Sequence, residues 1–291
     1  MRDFTLSKYR ELLDVLKMKK IPAVTFEEYL ALSPERFVIL RHDVDRLPLN
    51  AVQMAETENS MGIRSSYHFR SATLYKNPAA IIKIAALGHE VCYHYEDLQG
   101  ISDREYGLLT RGGNIVNSDN SPGIFRAFES FSEHLGLLRE YYPVKVASMH
   151  GNPLSRKDNR MMWNYFDYRS LGIICEPYFD IDYSTVLYIT DTGRSWNRKS
   201  VNIRDKVTRG FGKTLGEPLN EQFRFSNTDE MIHSIENELL PPGFIISTHP
   251  QRWNSRILPW ISELAMQSVK NVVKGFRRKI ATTRLSGPGM I

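Results

Sequence analysis

The chain has 291 residues, 42% of them hydrophobic and 24% charged, and its 38 Lys and Arg against 33 Asp and Glu leave a formal net charge of +5. This is the composition of an ordinary globular protein with room for a sizeable core, and it carries no DNA-binding or RNA-binding motif. There is no signal-peptide core and no apolar run of the ~20 residues that span a bilayer, and the two cysteines, Cys92 and Cys175, lie outside any CxxC pair, so a soluble cytoplasmic protein without a membrane span is expected.

In chain order, Leu6, Tyr9, Leu12, Leu13 and Leu16 recur at helical spacing over 5–19, and a second short helix is predicted over 26–32. Phe37-Val38-Ile39-Leu40 then reads as a strand buried on both faces, running into Arg41-His42-Asp43-Val44-Asp45. A helix over 49–61 stopped by Gly62, a strand over 63–70, a helix over 77–87 stopped by Gly88, and a strand over 90–94 follow. That β-α-β-α-β order with short links predicts parallel strands joined by right-handed crossovers. Further on, the pattern predicts a short helix over 103–109, a polar loop over 111–120, a helix over 122–141 and a strand over 144–149 ending at His150. An aromatic-rich helix over 160–168, short strand-like stretches over 172–194 and an irregular polar segment over 199–220 come next. A helix over 229–240, a buried strand over 243–248 running into His249, and a long helix over 260–279 complete the chain. No repeat or low-complexity linker divides it. The expected organisation is an N-terminal helical extension over 1–36, one α/β domain over 37–280 and a flexible tail over 281–291.

Chemistry-bearing residues recur at the ends of these strands. Asp43 and Asp45 follow the first strand, His94 the third, His150 the fourth and His249 the last. In a parallel α/β sheet, the carboxyl ends of the strands are where sites form. Asp43 and Asp45 are two apart and project to the same side of extended backbone, where they repel unless a cation or a shared proton holds them. A divalent metal on one, with the other accepting a proton from water, resolves the conflict, and one oxygen with two imidazole nitrogens is the ligand set of catalytic zinc. The plain alternative is a solvated acidic turn and histidines that serve packing.

With these residues on the page, the chain resembles the NodB-homology polysaccharide deacetylases of carbohydrate esterase family 4, in the variant with Asp-x-Asp in place of adjacent aspartates. The resemblance runs from about residue 37 to 253 and implies a distorted (β/α) barrel, a divalent metal and removal of acetyl from N-acetylated sugars. It makes Asp43 the base and Asp45 a ligand. Gly88-His89-Glu90-Val91-Cys92-Tyr93-His94 is similar to the family's second motif up to its first histidine, which makes His94 a ligand; the second histidine position is Leu98. The family's third motif is replaced by Ser148-Met149-His150-Gly151-Asn152-Pro153, and His150 is expected to stand in for the missing ligand. Asp191 and Trp196 resemble the motif in which an aspartate orients the acid histidine and a tryptophan lines the acetyl pocket. Ser247-Thr248-His249 resembles the motif that supplies that acid.

Arg41, Arg194, Arg252 and Trp253 flank these motifs and are expected to contact a sugar, with Arg41 also placed to pair with Asp43 or Asp191. His42, His68, His89, His134 and His233 are expected to be structural. The expectation is a metal-dependent carbohydrate deacetylase with zinc as the first choice of metal, acting on an N-acetyl sugar of a surface polysaccharide or its precursor. The rival readings are a catalytically silent relative that binds a glycan or assembles with partners, and another metal-assisted amidase or esterase on the same scaffold.

Overall fold

A computed structural model describes residues 2–111, 122–151, 155, 157–197 and 212–285. In chain order the elements are α1 (Leu6–Met18), α2 (Phe26–Leu32), β1 (Phe37–Val44), α3 (Pro48–Ser60), β2 (Ser66–Phe69), α4 (Ser71–Lys76), α5 (Pro78–Ala86), β3 (Glu90–Tyr95), α6 (Asp103–Arg111), α7 (Pro122–Arg139), β4 (Ala147–Met149), α8 (Pro177–Asp180), β5 (Leu187–Thr190), α9 (Thr228–Glu236), β6 (Gly243–Thr248) and α10 (Ile257–Leu285). Local chemistry sets many of their ends. Thr25 and Glu28 close a reciprocal capping box on α2, and prolines open α3 and α5. Gly62 and Gly88, both at positive φ, turn the chain out of α3 and α5 toward the next strand.

Among the described residues six strands form one parallel sheet, in the order β4-β3-β2-β1-β6-β5. Strand pleating sends successive residues to opposite faces, and the two faces pack differently. Val38 and Leu40 of β1, Leu187 and Ile189 of β5, and Phe244 and Ile246 of β6 point outward beneath α1 and α9. Tyr67, Phe69, Val91, Tyr93 and Tyr95 do the same beneath α3, α5 and α7. Inward, Phe37 and Ile39 of β1, Cys92 of β3, Val146, Cys175, Tyr188 of β5 and Ile245 of β6 share one buried cluster. Residues from strands far apart in the sheet order meet there, so the sheet is curled around its inner face as a half-barrel with helices outside. Between β1 and β6 the approach is tight: a Cβ on Gly243 would lie 2.5 Å from the Phe37 ring, its register partner.

The structure departs from sequence expectation in a few places. β1 continues through Arg-His-Asp to Val44, so Asp43 belongs to the strand and only Asp45 follows it. The helix predicted over 160–168 is two 3-10 turns, Asn159–Asn164 and Tyr168–Leu171, because Asp158 and Asp167 each cap a fresh start. The strand predicted over 144–149 is paired only from Ala147, and Val146 instead bridges to Cys175. Most of the loop predicted over 111–120 and of the segment over 199–220 lies outside the described residues. Among the described residues no helix is long and apolar enough to cross a membrane.

Candidate active site

The pleat that packs Phe37 and Ile39 inward carries the same parity on to Arg41 and Asp43. Cys92 and His94 of β3, Val146 and Ser148 at β4, and Ile245, Ser247 and His249 at β6 follow one rule: apolar inside at the amino end, polar at the carboxyl end. One rim of the half-barrel therefore collects the titratable residues. His42, between two inward residues, points the other way. Its Nε2 lies 2.7 Å from Glu58 Oε1 and its Nδ1 2.6 Å from Thr248 Oγ1, while Tyr9 and Tyr67 also donate to Glu58. That buried network fastens β1 to α3.

At the rim, Asp45 Oδ1, His94 Nε2 and His150 Nδ1 converge. Asp45 Oδ1 lies 3.7 Å from His94 Nε2 and 3.2 Å from His150 Nδ1, and the two ring nitrogens are 3.2 Å apart. Asp45 Oδ1 is buried, and among the described residues its one close polar partner besides His94 is the His150 ring nitrogen, with no hydrogen bond of good geometry to it. His94 Nδ1 donates to the Ser148 carbonyl at 3.0 Å, which leaves the Nε2 lone pair directed at the group. Burial pushes His94 down to about 4 against the pull of Asp43, so it is neutral near pH 7, as a ligand must be. Burial also opposes charge on His150, but Asp45 outweighs it and raises its pKa. A tetrahedral ion with arms of about 2.0–2.1 Å has edges of roughly 3.4 Å, so a triangle of 3.2–3.7 Å is the size of one of its faces. The residues fit a zinc-type ion, with one oxygen and two nitrogens as donors.

Asp43, His68 and His94 form a second compact group. Here the guanidinium of Arg41 grips both Asp43 oxygens, Nε to Oδ1 at 2.8 Å and Nη2 to Oδ2 at 3.2 Å. A metal ion beside that guanidinium would meet a positive charge already in place, so the Asp45 side is the better seat. Burial alone would raise the Asp43 carboxyl, but Arg41, followed by His94, His68 and His249, holds it well below the usual range. Asp43 Oδ2 lies 3.9 Å from His94 Nε2, beside the triad rather than in it. Arg41 is buried and committed to Asp43, so it cannot contact a sugar as expected. Arg41→Met should therefore destabilise the protein by about 3–5 kcal/mol, the cost of stranding a buried charge. The double change with Asp43→Asn should lose less than the single one, measured by denaturant unfolding.

On the other flank, His249 Nδ1 is 2.7 Å from Asp191 Oδ1, and its Nε2 faces Asp45 Oδ2 at 3.9 Å. Asp191 also accepts from the His249 backbone N–H, from Arg252 and from the Trp253 indole N–H. Burial opposes its charge, but Arg252 and then His249 hold the carboxyl below its ordinary value. Arg252 and Trp253 are thus buried supports of Asp191, which corrects the expectation that they contact substrate. Trp196, expected to line a pocket, has no exposed surface: it packs with Phe4 and Trp253, and its indole N–H donates to Thr228. Arg194 is half-buried, with its guanidinium over Phe4 and Trp260.

Three contributors escaped the sequence reading. His68 was expected to be structural, yet it sits beside Asp43 in the β1–β2 register, and neither of its ring nitrogens has a hydrogen-bond partner. Gln251 donates to Asp45 Oδ2 at 3.4 Å from the turn after His249. Glu176 accepts from the Met149 backbone N–H at 3.1 Å, next to His150, and from Tyr178 N–H and the Tyr95 hydroxyl. Leu98, where the second motif would carry a histidine, is buried in the core instead.

Burial raises the Glu176 carboxyl to about 7. A proton held more tightly in the folded state gives stability that is full below the unfolded value near 4.5 and is lost as pH rises through about 7. On the order of 3 kcal/mol is at stake for this fully buried group. Glu176→Gln should flatten the fall in melting temperature between these pH values.

No protein-family model matches the sequence, and no curated protein matches it. Solved structures similar to the chain include a mutant CE4-family pseudoenzyme with restored enzymatic activity, at 10% identity and a TM-score of 0.40, covering 83% of this chain and 64% of that one. This chain thus spans less than two thirds of that protein's length. The peptidoglycan deacetylase PdaC of Bacillus subtilis is similar at 14% identity and a TM-score of 0.35, covering 84% of this chain and 97% of that one. The Xyl-CE4 domain of a multidomain xylanase from the hindgut metagenome of Trinervitermes trinervoides is similar at 13% identity and a TM-score of 0.37, covering 84% and 92%. Identities this low leave the chemistry of the chain to be read from its own side chains.

Proposed function

We propose that the protein is a metal-dependent hydrolase that removes acetyl from an N-acetylated amino sugar of a surface polysaccharide or its precursor. The observation that carries this reading is the triangle of Asp45 Oδ1, His94 Nε2 and His150 Nδ1, flanked on one side by a carboxylate and on the other by a carboxylate-held imidazole. A divalent cation bound by Asp45, His94 and His150 would supply Lewis acidity, polarising a carbonyl and lowering the pKa of water. Asp43 is kept ionised by Arg41 and is always ready to accept a proton, at the expense of basicity. Its Oδ2, turned toward His94, receives the proton of the attacking water. His249 offers Nε2 to the leaving amine, because Asp191 occupies Nδ1 and fixes the ring. One side takes a proton and the other gives one, which is what cleavage of an amide requires.

The test is acetate release from a panel of N-acetyl amino sugars, free, polymeric and nucleotide-linked, with zinc or cobalt supplied. Turnover that chelation abolishes and metal restores is the expected result. Stoichiometric metal without turnover of any panel member would set the deacetylase aside and leave another metal-assisted amidase or esterase. A protein that takes up no metal would indicate the silent form.

A further inference from the structure

His150 stands just past the support of its strand: β4 is three residues long and ends at Met149. The ring meets Asp45 and His94 through Nδ1, the nitrogen nearer the backbone, so a shift of the main chain carries straight into the triangle. That main chain is held at successive points. Met149 N–H donates to Glu176 at 3.1 Å, and His150 N–H donates to the Tyr95 carbonyl at 2.7 Å. The next group along, the His150 carbonyl, accepts from a side chain, Asn159 Nδ2, at 3.0 Å. The other end of that amide, Oδ1, accepts from the Leu98 N–H at 3.1 Å. One partner is an acceptor and the other a donor, so the amide fits in a single orientation.

Asn159 is 1% exposed, and the residues before it are fastened to the same stretch as Leu98. Lys157 Nζ donates to the Gln99 and Ile101 carbonyls, and Asp158 N–H donates to the Tyr106 hydroxyl at 2.8 Å. Segment 157–159 is therefore anchored on 98–106, which follows β3 and His94, and Asn159 passes that anchorage to His150 beyond β4. We propose that Asn159 is a positioning residue, a clasp between the two histidine-bearing strand ends. It holds His94 Nε2 and His150 Nδ1 at 3.2 Å, a spacing that suits one edge of a tetrahedral ion's ligand shell. It touches neither an ion nor a reacting atom. Its effect is preorganisation: donors already at the right spacing bind without first having to be ordered. The inference rests on the metal centre of Asp45, His94 and His150 proposed above, and adds the residue that sets its dimensions.

The test is the zinc affinity of the full-length protein, measured by competition with a chromophoric chelator, beside the melting temperature of the metal-free form. Asn159→Ala should bind zinc about tenfold more weakly, the lower end of the roughly 10–100-fold that loss of an outer partner costs, because it acts through the main chain. Should alanine prevent folding, Asn159→Leu fills the same space and loses the same two hydrogen bonds. Thr25→Ala is the control for lost stability. It breaks the capping box of α2, a helix tied to Glu90 at the opposite end of β3 from His94, and should leave zinc affinity unchanged. Unaltered zinc affinity in the Asn159 variants overturns the inference, and so does a loss that Thr25→Ala reproduces. A wild type that takes up no zinc overturns it together with the metal centre. Zinc uptake that Asn159→Ala weakens, with no panel sugar turned over, upholds the clasp and sets aside the deacetylase alone.

Discussion

His150→Ala is expected to strip the protein of stoichiometric zinc and to take deacetylation with it, by more than the roughly 10–100-fold that loss of an outer partner of a metal ligand costs. His150 supplies the nitrogen that closes the triangle: its Nδ1 lies 3.2 Å from both Asp45 Oδ1 and His94 Nε2. Removing it leaves one carboxylate oxygen and one imidazole, too few to hold the ion against competition from water. Asp45→Asn should do the same while keeping the shape of the side chain, since it removes the charge that balances the cation. Metal content by mass spectrometry under native conditions and turnover on a substrate from the panel measure the two losses together. Leu98→His should not rescue either variant, because Leu98 is packed in the core beneath the rim. Full zinc content with normal turnover in His150→Ala would remove this residue from the centre and reopen the Asp43, His68 and His94 group as the seat.

The contrast between His150 and His68 shows how much of this site was legible in the chain. Asp43, His94, His150 and His249 each follow or end an apolar run, and a strand end in a parallel α/β sheet is a place where sites form whatever the neighbours are. His68 also lies near the end of its strand, but its strand is short and mixed, Ser-Tyr-His-Phe, and only the lateral pairing of Asp43 with His68 puts the ring beside the carboxylate. Register between strands is a property of two segments and cannot be read from one. Glu176 escaped for a similar reason: it reaches β4 from a segment whose single bridge, Val146 with Cys175, has no sequence signature. Trp196, Arg252 and Trp253 were placed correctly along the chain but assigned the wrong face. Proximity to a motif says nothing about whether a side chain turns to the cleft or to the core, and here Phe4, from the chain's first turn, closes over both tryptophans. The order of helices and strands was read almost entirely from apolar periodicity, with Gly and Pro as punctuation. The 3-10 turns after Asp158 and Asp167 were missed because two capping aspartates nine residues apart imply two starts where aromatic content suggested one helix.

His249→Ala should lower kcat on an N-acetyl sugar by roughly 10²–10⁴-fold with zinc content unchanged, because His249 flanks the triangle without closing it. Loss of activity alone would not separate an acid from a residue that merely packs, so the leaving group must be varied. An amide cannot expel a free amine anion and needs a proton delivered as the bond breaks, whereas 4-nitrophenolate leaves unaided. On 4-nitrophenyl acetate, then, His249→Ala should cost less than about tenfold, while Asp43→Asn should be impaired on both substrates, since activation of water is common to them. Asp191 is a positioning residue: it touches Nδ1, the backbone N–H of His249, Arg252 and Trp253, and none of the reacting atoms. Asp191→Asn should therefore resemble His249→Ala on the amide and spare the aryl ester, with kcat falling and KM little changed. If His249→Ala damages both substrates equally, the imidazole acts before the leaving group departs, and the division of labour between the two flanks of the triangle is wrong.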